Sequence, residues 1–452
     1  MLLWILILAL LVRGLTAYFI QQRLHDPGWF QFGTYAQFDR QAQDILERKA
    51  SWFFVHDPTR TETAIYPPGY SLWIAFIYKV TGQRGPANAL TVQWVLDAWS
   101  TLLIVVIAAT VFGWRTGVIA GMLAALSPLL ALYGATPLAD APTSWLVCGG
   151  VLLLVFAANK RSPALALGAG LLAGASCWLR GNALLLPVFW AIGLLLLSIS
   201  WKLKFTLAGA VLLGALVMVA PLLVRNAITF HAITPTGLGA GTNLWEGIGE
   251  TDRAAEFGAV FGDQALLEQE RAENGIAPDQ PYSLYFPNGV QRDRKRAQKA
   301  MKVIVEHPVW YSGVMLRRMA GVLKFAGKPG RFYGSAGINM TRQKVLPENL
   351  QHGPIAWFTT ALGMLQSVLR YLALPLMVLG IWSALRRDWR ISLLLLSTVA
   401  YYLVVGSTMH TEIRYGLPMQ ALLFVFAGLA VNEIWRFVSK KPGRSISPPT
   451  KV

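Results

Sequence analysis

Charged residues are scarce in this chain of 452 residues, and acidic ones are scarcest. Only 14% of the residues are charged, against roughly 25% in soluble domains. Hydrophobic residues reach 54%. The chain therefore lacks the polar surface of a soluble protein, and the same numbers exclude a disordered or collagen-like chain.

Cysteine and the common catalytic motifs are also lacking. Cys148 and Cys177 both lie in apolar runs, so we expect packed thiols and no disulfide scaffold. The six histidines are scattered, so no histidine-based zinc site is predicted. The sequence contains no phosphate-binding or dinucleotide glycine loop, no HExxH, no CxxC and no GxSxG motif.

The charges that are present are unbalanced. Lys and Arg number 40 against 23 Asp and Glu, a net charge of +17. In a soluble protein such an excess would suggest nucleic acid. Here long apolar runs separate the basic residues. The basic excess is therefore better explained as the signal that orients a membrane protein, and no nucleic-acid partner is predicted.

The apolar runs predict an all-α polytopic membrane protein with about ten spans, since a span needs roughly 20 apolar residues. They lie near residues 2–20, 89–112, 117–134, 143–158, 164–179, 183–200, 205–224, 355–384, 391–407 and 416–436. The run at 70–80 is too short and follows Pro67 and Pro68, so a surface helix is predicted there. The first run has no basic leader or clear cleavage site, so we expect it to be retained as a helix.

Basic residues in the short loops set the predicted orientation. The loops near 114, 160, 202 and 388 and the C-terminal tail fall on the side of the N-terminus, which is therefore predicted to be cytoplasmic. Residues 1–436 form the predicted transmembrane domain, with external loops at 21–88 and 225–353. Residues 437–452 are predicted to be a disordered cytoplasmic tail.

Both external loops contain predicted surface helices. Residues 35–49 place apolar and charged side chains on opposite helical faces. Residues 309–325 carry Arg317, Arg318 and Lys324 among apolar residues, which is typical of a helix beside lipid headgroups. External loops of this size are usually functional.

Ionisable residues within or beside spans are candidate functional groups because they are costly there. Arg13 and Asp97 could form a structural ion pair or line a substrate path. Asp140, at the start of a span, is either a helix cap or a catalytic carboxylate.

Cationic side chains recur at the predicted external ends of the spans. Arg180, Arg225 and Arg414 could each anchor lipid headgroups or bind a substrate phosphate. His410 and Glu412 lie beside Arg414 in the last external turn. Several cations facing one cavity would form a phosphate site.

The order of these features resembles the GT-C membrane glycosyltransferases that use polyprenyl-phosphate sugars, the protein O-mannosyltransferase (glycosyltransferase family 39) and lipid A aminoarabinose transferase class. The resemblance covers nearly the whole chain. Its motifs are the amphipathic helix at 35–46, Tyr66-Pro67-Pro68-Gly69-Tyr70, the segment 174–180 ending in Arg180, Pro221 to Asn226, residues 306–311 and Arg414-Tyr415-Gly416-Leu417-Pro418.

The resemblance implies a GT-C bundle with external juxtamembrane helices that transfers a sugar, with inversion, from a polyprenyl-phosphate donor to an acceptor hydroxyl or amine. The active site would lie on the external, periplasmic face of a bacterial inner membrane, among membrane lipids and within cell-envelope synthesis. Arg180, Arg225 and Arg414 would bind the donor phosphate. Tyr66, Tyr70, His410 and Glu412 would line the substrate pocket.

Two family positions differ. The family's catalytic Asp aligns with Gly33-Thr34, and its basic residue before the Pro pair aligns with Tyr66. Asp39, one turn further on, is the predicted base, with Asp140 assisting the acceptor or a metal. Asp26 is the alternative base. The cofactor is left open: a divalent metal ion requires Asp39 and Asp140 to converge.

Two other functions remain alternatives at this stage. Without a carboxylate at 33–34, the chain could be a lipid-linked-sugar transporter or an inactive GT-C scaffold. A ligase or polymerase that uses a lipid-diphosphate glycan donor is the other alternative, because it would use Arg and His without a carboxylate base. The sugar and the acceptor are not specified by the sequence.

Overall fold

The computed structural model describes residues 1–22, 24, 32–49, 66–323, 346, 348–410 and 412–439. These ranges contain helices and, apart from one isolated bridge between Ser283 and Phe286, no β structure. The predicted all-α fold class is confirmed. Asp26, Lys324 and the tail after residue 439 lie outside the described residues, so the predictions made for them stay predictions.

Sixteen α-helices make up the described fold. In chain order they are α1 (Leu2–Gln21), α2 (Phe32–Leu46), α3 (Gly69–Thr81), α4 (Pro86–Phe112), α5 (Trp114–Leu126), α6 (Pro128–Gly134), α7 (Asp140–Lys160), α8 (Pro163–Leu179), α9 (Leu186–Leu195), α10 (Trp201–Phe230), α11 (Ala240–Gly249), α12 (Asp263–Asn274), α13 (Gly289–Glu306), α14 (Pro308–Val322), α15 (Pro354–Val404) and α16 (Leu417–Ser439).

Apolar helices form the membrane bundle. Among the described residues, six are long and apolar enough to cross a bilayer, or seven if the bent pair α5–α6 counts as one span. Two shorter apolar segments, α8 and Gly181–Leu195, add to them. These helices make the chain an integral membrane protein. The predicted number of about ten spans stays a prediction.

Helix α15 consists of two helices joined at a turn. Asp388 has non-helical dihedral angles, φ −150° and ψ 97°. Its Oδ1 accepts hydrogen bonds from the backbone N–H groups of Arg390, at 2.9 Å, and Ile391, at 3.3 Å. This is an N-cap for the second helix. The break falls between the apolar runs predicted at 355–384 and 391–407, and their separation into two spans stays a prediction.

Small residues allow the helices of the bundle to approach closely. A side chain at Gly170 of α8 would clash with the carbonyl of Val211 in α10, and one at Gly380 of α15 with the carbonyl of Phe426 in α16. Such contacts stabilise membrane helices by close van der Waals packing, because lipid supplies no hydrophobic drive for association.

A buried ion pair ties α1 to α4 within the bundle. Arg13 Nε lies 2.6 Å from Asp97 Oδ2, and both side chains are almost fully buried. Trp145 of α7 donates a hydrogen bond to the other oxygen of Asp97, at 2.7 Å. Of the two interpretations of this pair, the structural ion pair is the one that these contacts support.

Two smaller layers pack at one end of the bundle. Helices α2 and α3 share a cluster of buried side chains around Phe38 and Tyr70, together with Leu179 from the end of α8. The helix predicted at 35–49 is thus observed as α2. Helices α11 to α14 form a second cluster around Trp245 and Tyr311, and the hydroxyl of Tyr311 donates to the carbonyl of Thr408 in the turn before α16, at 2.6 Å.

Candidate functional site

The start of α7 and the end of α8 bring a carboxylate and a guanidinium together. Asp140 is the first residue of α7, where the helix dipole favours its negative charge. Arg180 directly follows α8. Arg180 Nε lies 3.1 Å from Asp140 Oδ1, and the Asp140 side chain is 1% exposed.

The helix-cap interpretation of Asp140 is not what the structure shows. The N-cap of α7 is Ala139, and no side chain caps the helix. Among the described residues, neither carboxylate oxygen of Asp140 accepts a hydrogen bond. Asp140 is therefore a buried carboxylate, held by charge next to Arg180, with lone pairs left for a further donor.

The turn before α16 adds a second cation to this site. Arg414 donates to Glu412, with 2.8 Å between Nη2 and Oε1. Arg414 and Glu412 also lie close enough to Asp140 for their charges to interact. Both guanidinium groups lie over the ring of Tyr415, with Arg180 Cζ 4.7 Å and Arg414 Cζ 5.4 Å from its centroid. Two cations thus share one aromatic ring.

His410 extends this site toward the second layer. Its Nδ1 contacts Glu250 Oε1, and its Nε2 lies 3.7 Å from Glu412. Burial opposes protonation of His410, but the hydrogen bond to Glu250 and the nearby carboxylate of Glu412 outweigh it and raise its pKa to about 9. Burial likewise opposes ionisation of Glu412, but Arg414 and then His410 lower the pKa of Glu412 to about 2.

We call Asp140, Arg180, His410, Glu412 and Arg414 the ionic cluster, and the end of the bundle that carries them the cluster end. The sequence-predicted residues Asp140, Arg180, His410, Glu412 and Arg414 are brought together by the fold. Sequence reasoning missed Glu250 and Tyr415, since nothing local indicated that residue 250 would reach residue 410.

Arg225 is buried, and its neighbour Asn226 connects it to residues near the turn that carries Arg180. Its guanidinium donates to Asn226 Oδ1 at 2.9 Å. Asn226 in turn donates to the carbonyls of Thr234, at 2.7 Å, and Thr236. A side chain at Gly181, next to Arg180, would clash with Thr236. These contacts bring the Arg225–Asn226 pair close to the turn that carries Arg180.

Tyr66 and Tyr70 lie at the start of α3, and both pack on Phe38 of α2, with ring centroids 5.2 Å and 4.9 Å apart. Tyr70 is fully buried and donates to Gln93 Oε1 at 2.8 Å. Burial, and then the charge of Asp140, raise the pKa of the Tyr70 phenol well above its usual value. Tyr70 thus lies within range of the charge of Asp140.

Asp39 is held at the other end of α3. Its Oδ1 accepts from the hydroxyl of Tyr78, at 2.6 Å, and its Oδ2 accepts from Gln43, at 2.9 Å. Tyr78 is eight residues beyond Tyr70, which is about 12 Å along a helix axis. Asp39 therefore lies near the C-terminal end of α3, away from Tyr70, and no contact between Asp39 and Asp140 is seen among the described residues.

The predicted headgroup-facing role of Arg318 is wrong. Its side chain is 0% exposed. It donates to the carbonyl of Ser407 at 3.2 Å and lies 3.6 Å from Glu250. The reason is its helical face: Arg317 of α14 points outward, whereas Arg318 points to the turn before α16, where Glu250 compensates its charge.

A metal site is not assembled by side chains in the described ranges, which contain no group of three or more His, Cys, Asp and Glu residues placed to hold an ion. Asp140 offers one carboxylate beside a guanidinium, and Asp39 lies at the far end of α3. The cofactor is therefore left open, and no step below depends on a metal.

Comparison with known proteins agrees with this architecture. Residues 66–224 match the family model described as dolichyl-phosphate-mannose-protein mannosyltransferase. This segment contains Tyr66, Tyr70, Asp140 and Arg180. No curated protein sequence matches the chain significantly.

Solved structures resemble the chain in fold. One is a crystal structure of the Archaeoglobus fulgidus oligosaccharyltransferase in complex with Zn and sulfate, with a TM-score of 0.50, 13% identity, and coverage of 96% of this chain and 49% of that one. Another is the oligosaccharyltransferase AglB from the same organism in complex with an inhibitory peptide and a dolichol-phosphate, with a TM-score of 0.46, 13% identity, and coverage of 98% and 52%. The chain spans about half the length of these neighbours.

These findings agree on the fold of the chain. The helical membrane bundle has the fold of GT-C glycosyltransferases, and the family match lies over the segment that carries Asp140 and Arg180. The resemblance to GT-C membrane glycosyltransferases expected from the sequence motifs is confirmed.

Proposed function

We propose that this chain is a glycosyltransferase that moves a sugar from a polyprenyl-phosphate donor to an acceptor hydroxyl or amine. The carrying observation is the pairing of Asp140 with Arg180 in the ionic cluster. It puts a carboxylate able to accept a proton beside cations suited to a phosphate, and both functions are needed for this reaction. The description of the matching family, which names a dolichyl-phosphate sugar donor, supports this donor class.

The proposed base is Asp140. Its oxygens are buried, and neither accepts a hydrogen bond among the described residues. In the proposed step, the acceptor O–H or N–H gives its proton to Asp140 while the acceptor oxygen or nitrogen bonds to the anomeric carbon. The bond from that carbon to the phosphate oxygen breaks, and its electron pair leaves with the polyprenyl phosphate. Direct displacement inverts the anomeric centre.

The proposed phosphate ligands are Arg180, Arg414 and Arg225. Guanidinium groups stay charged at all working pH values and match phosphate oxygens in pairs. Glu412 accepts a hydrogen bond from Arg414, and His410 lies beside Glu412. We infer that Glu412 and His410 shape the sugar pocket together with Tyr66 and Tyr70. Negative charge that develops on the departing phosphate would be stabilised by cations already in place, at no cost of reorganisation.

Asp39 remains the second candidate base. Both of its oxygens already accept hydrogen bonds, from Tyr78 and Gln43, so its use as a base would require one of these bonds to be released. Asp140 needs no such change, and for that reason we place it first.

The proposed setting is the external, periplasmic face of a bacterial inner membrane. Support comes from the charge distribution. The turn at Asp388 carries Arg386, Arg387 and Arg390, as cytoplasmic loops do. Arg387 pairs with Glu433 near the end of α16, whereas Arg414 lies just before the start of that helix. The donor and the membrane lipids would meet the cluster end from within the bilayer.

The function is tested with the full-length chain purified into lipid nanodiscs. Labelled polyprenyl-phosphate hexoses and pentoses are supplied with peptide, lipid and polysaccharide acceptors, and labelled product and free polyprenyl phosphate are both measured. Transfer that drops about 100-fold or more in Arg180→Gln but is unchanged in Arg317→Gln, an exposed arginine, supports the proposal. Binding of every donor without turnover would instead favour a transporter or scaffold, and turnover of lipid-diphosphate donors alone would favour a ligase or polymerase.

A further inference from the structure

A buried carboxylate of the second layer, Glu250, is not used in the transfer step proposed above. Glu250 directly follows α11 and is 2% exposed. Its Oε1 contacts Nδ1 of His410, and its Oε2 lies 3.6 Å from Nη2 of Arg318. The two oxygens therefore face two basic side chains, one from the turn before α16 and one from α14. A buried carboxylate needs such partners, because an unpaired charge is costly there.

The contacts of Glu250 continue the ionic cluster into the second layer. His410 Nε2 lies 3.7 Å from Glu412 Oε1, and the same oxygen accepts a hydrogen bond from Arg414 at 2.8 Å. Basic and acidic side chains thus alternate along five residues, which we call the charge chain: Arg318, Glu250, His410, Glu412 and Arg414. The last of these, Arg414, is a proposed ligand of the donor phosphate.

Backbone contacts hold α11 and α14 against the turn before α16. The N–H of His410 donates to the carbonyl of Asn243 in α11, at 2.8 Å. Arg318 donates to the carbonyl of Ser407, at 3.2 Å, and to that of Gly247. A side chain at Gly247 would overlap the backbone nitrogen of His410. The end of α11 is thus packed directly on this turn, with no room for the charge chain to open by sliding.

The charge of Glu250 supports the positive charge of His410. Burial opposes protonation of His410, but Glu250 and then Glu412 raise its pKa to about 9. The groups that face His410 are the carboxylates of Glu250, Glu412 and Glu246 and the rings of Phe261 and Tyr415. With His410 charged, the carboxylate of Glu412 is shared between two cations. With His410 neutral, Glu412 would neutralise Arg414 alone.

We propose that Glu250 is a positioning residue for donor binding: it holds His410 against Glu412, so that net positive charge remains at Arg414 for the donor phosphate. Arg318 in turn holds Glu250 from α14. This inference rests on the proposed function, because it takes Arg414 as a phosphate ligand. The second layer thereby contributes to donor binding, although Glu250 does not touch the phosphate.

The experiment measures binding of labelled polyprenyl phosphate to the full-length chain in phosphatidylcholine nanodiscs at about pH 5.5 and about pH 8.5. At the lower pH His410 is protonated with or without Glu250, so Glu250→Gln should bind within about twofold of wild type. At the higher pH only wild type keeps His410 charged, and Glu250→Gln should bind about tenfold more weakly. The phosphate's own titration is common to both chains and cancels in their ratio.

The matched control is Glu268→Gln, on the exposed face of α12, which should follow wild type at both pH values. Binding by Glu250→Gln that equals wild type at both pH values would overturn this inference alone. So would an equal loss at both, because a merely structural defect does not depend on the charge of His410. A wild-type chain that binds no polyprenyl phosphate at either pH would instead refute the proposed function, and this inference with it.

A double-mutant cycle keeps the test decisive if Glu250→Gln binds poorly because it folds poorly. Positions 250 and 414 are joined only through His410 and Glu412 in the charge chain. At about pH 8.5, combining Glu250→Gln with Arg414→Gln leaves Glu412 with neither cation, so the double variant should melt several degrees below the sum of the single effects. At about pH 5.5 the effects should add. Additive effects at both pH values would overturn the inference.

Discussion

Arg180 Nε lies 3.1 Å from Asp140 Oδ1, across the junction between the end of α8 and the start of α7. The two residues are 40 positions apart in sequence, and their pairing brings a proton acceptor and a phosphate-binding cation into one site. Arg414, over the same Tyr415 ring, adds a second cation.

The His410–Glu412 contact predicts a pH-dependent stability. The pKa of His410 is raised from 6.5 to about 9. Its contribution to the free energy of unfolding is therefore complete below about pH 6.5 and is lost as the pH rises through about 9. Glu412 has its pKa lowered from 4.5 to about 2, so its contribution is present above about pH 4.5 and is lost toward pH 2.

The measurement is the melting temperature of the purified chain between pH 6 and 10. We expect His410→Gln to melt lower than wild type at pH 6.5 and to converge with it near pH 10. His352→Gln, at an exposed histidine, serves as the control and should follow wild type throughout. A constant difference between His410→Gln and wild type would contradict the assignment.

Glu246 of α11 is predicted to destabilise the fold at alkaline pH. Its side chain is buried, and its Oε1 has no hydrogen-bond partner among the described residues. Burial, and then Asp263, raise its pKa from 4.5 to about 7. Below about pH 4.5 the protonated form favours folding, and this advantage is lost as pH rises through 7. Glu246→Gln should therefore melt several degrees higher than wild type at pH 8.5, while Glu268→Gln, on the exposed face of α12, should not.

The Arg13–Asp97 pair predicts strong coupling between two substitutions. Removing one partner leaves a buried charge uncompensated, so Arg13→Leu or Asp97→Leu alone should cost about 3–5 kcal/mol. The double variant should recover much of this loss. Unfolding of the single and double variants in mixed micelles measures the coupling, and strictly additive losses would argue against a structural pair.

The close packing of Gly69 beside Tyr70 can be tested by adding a side chain. A side chain there would overlap the backbone carbonyl of Trp178, two residues before Arg180, whereas Gly209 in α10 faces open space. Gly69→Ala should destabilise by about 1–3 kcal/mol and lower transfer. Gly209→Ala should be neutral or stabilising by up to about 1 kcal/mol. Similar effects of the two substitutions on the melting temperature would contradict this packing.

The bundle and the α2 helix could be predicted from the sequence because their signals are local: long apolar runs and helical periodicity over 35–46. Asp140, Arg180 and Arg414 could be selected because charge at the end of a span is costly. Their pairing could not be predicted, and neither could Glu250, which meets a residue 160 positions away. The lipid-facing prediction for Arg318 is wrong because Arg317 and Arg318 are neighbours on a helix and point to different faces. The residue composition of the segment does not show which of these faces is buried.

The central claim is that Asp140 accepts the acceptor proton, and the most direct measurement compares Asp140→Asn with Asp39→Asn in single-turnover transfer from a labelled polyprenyl-phosphate sugar. The amide keeps the shape of Asp140 but cannot accept the proton. We expect Asp140→Asn to slow transfer by about 10²–10⁴-fold with donor binding retained, and Asp39→Asn to slow it by less than about tenfold through loosened packing of α2 on α3. Loss of transfer in Asp39→Asn with near-normal rates in Asp140→Asn would contradict the account.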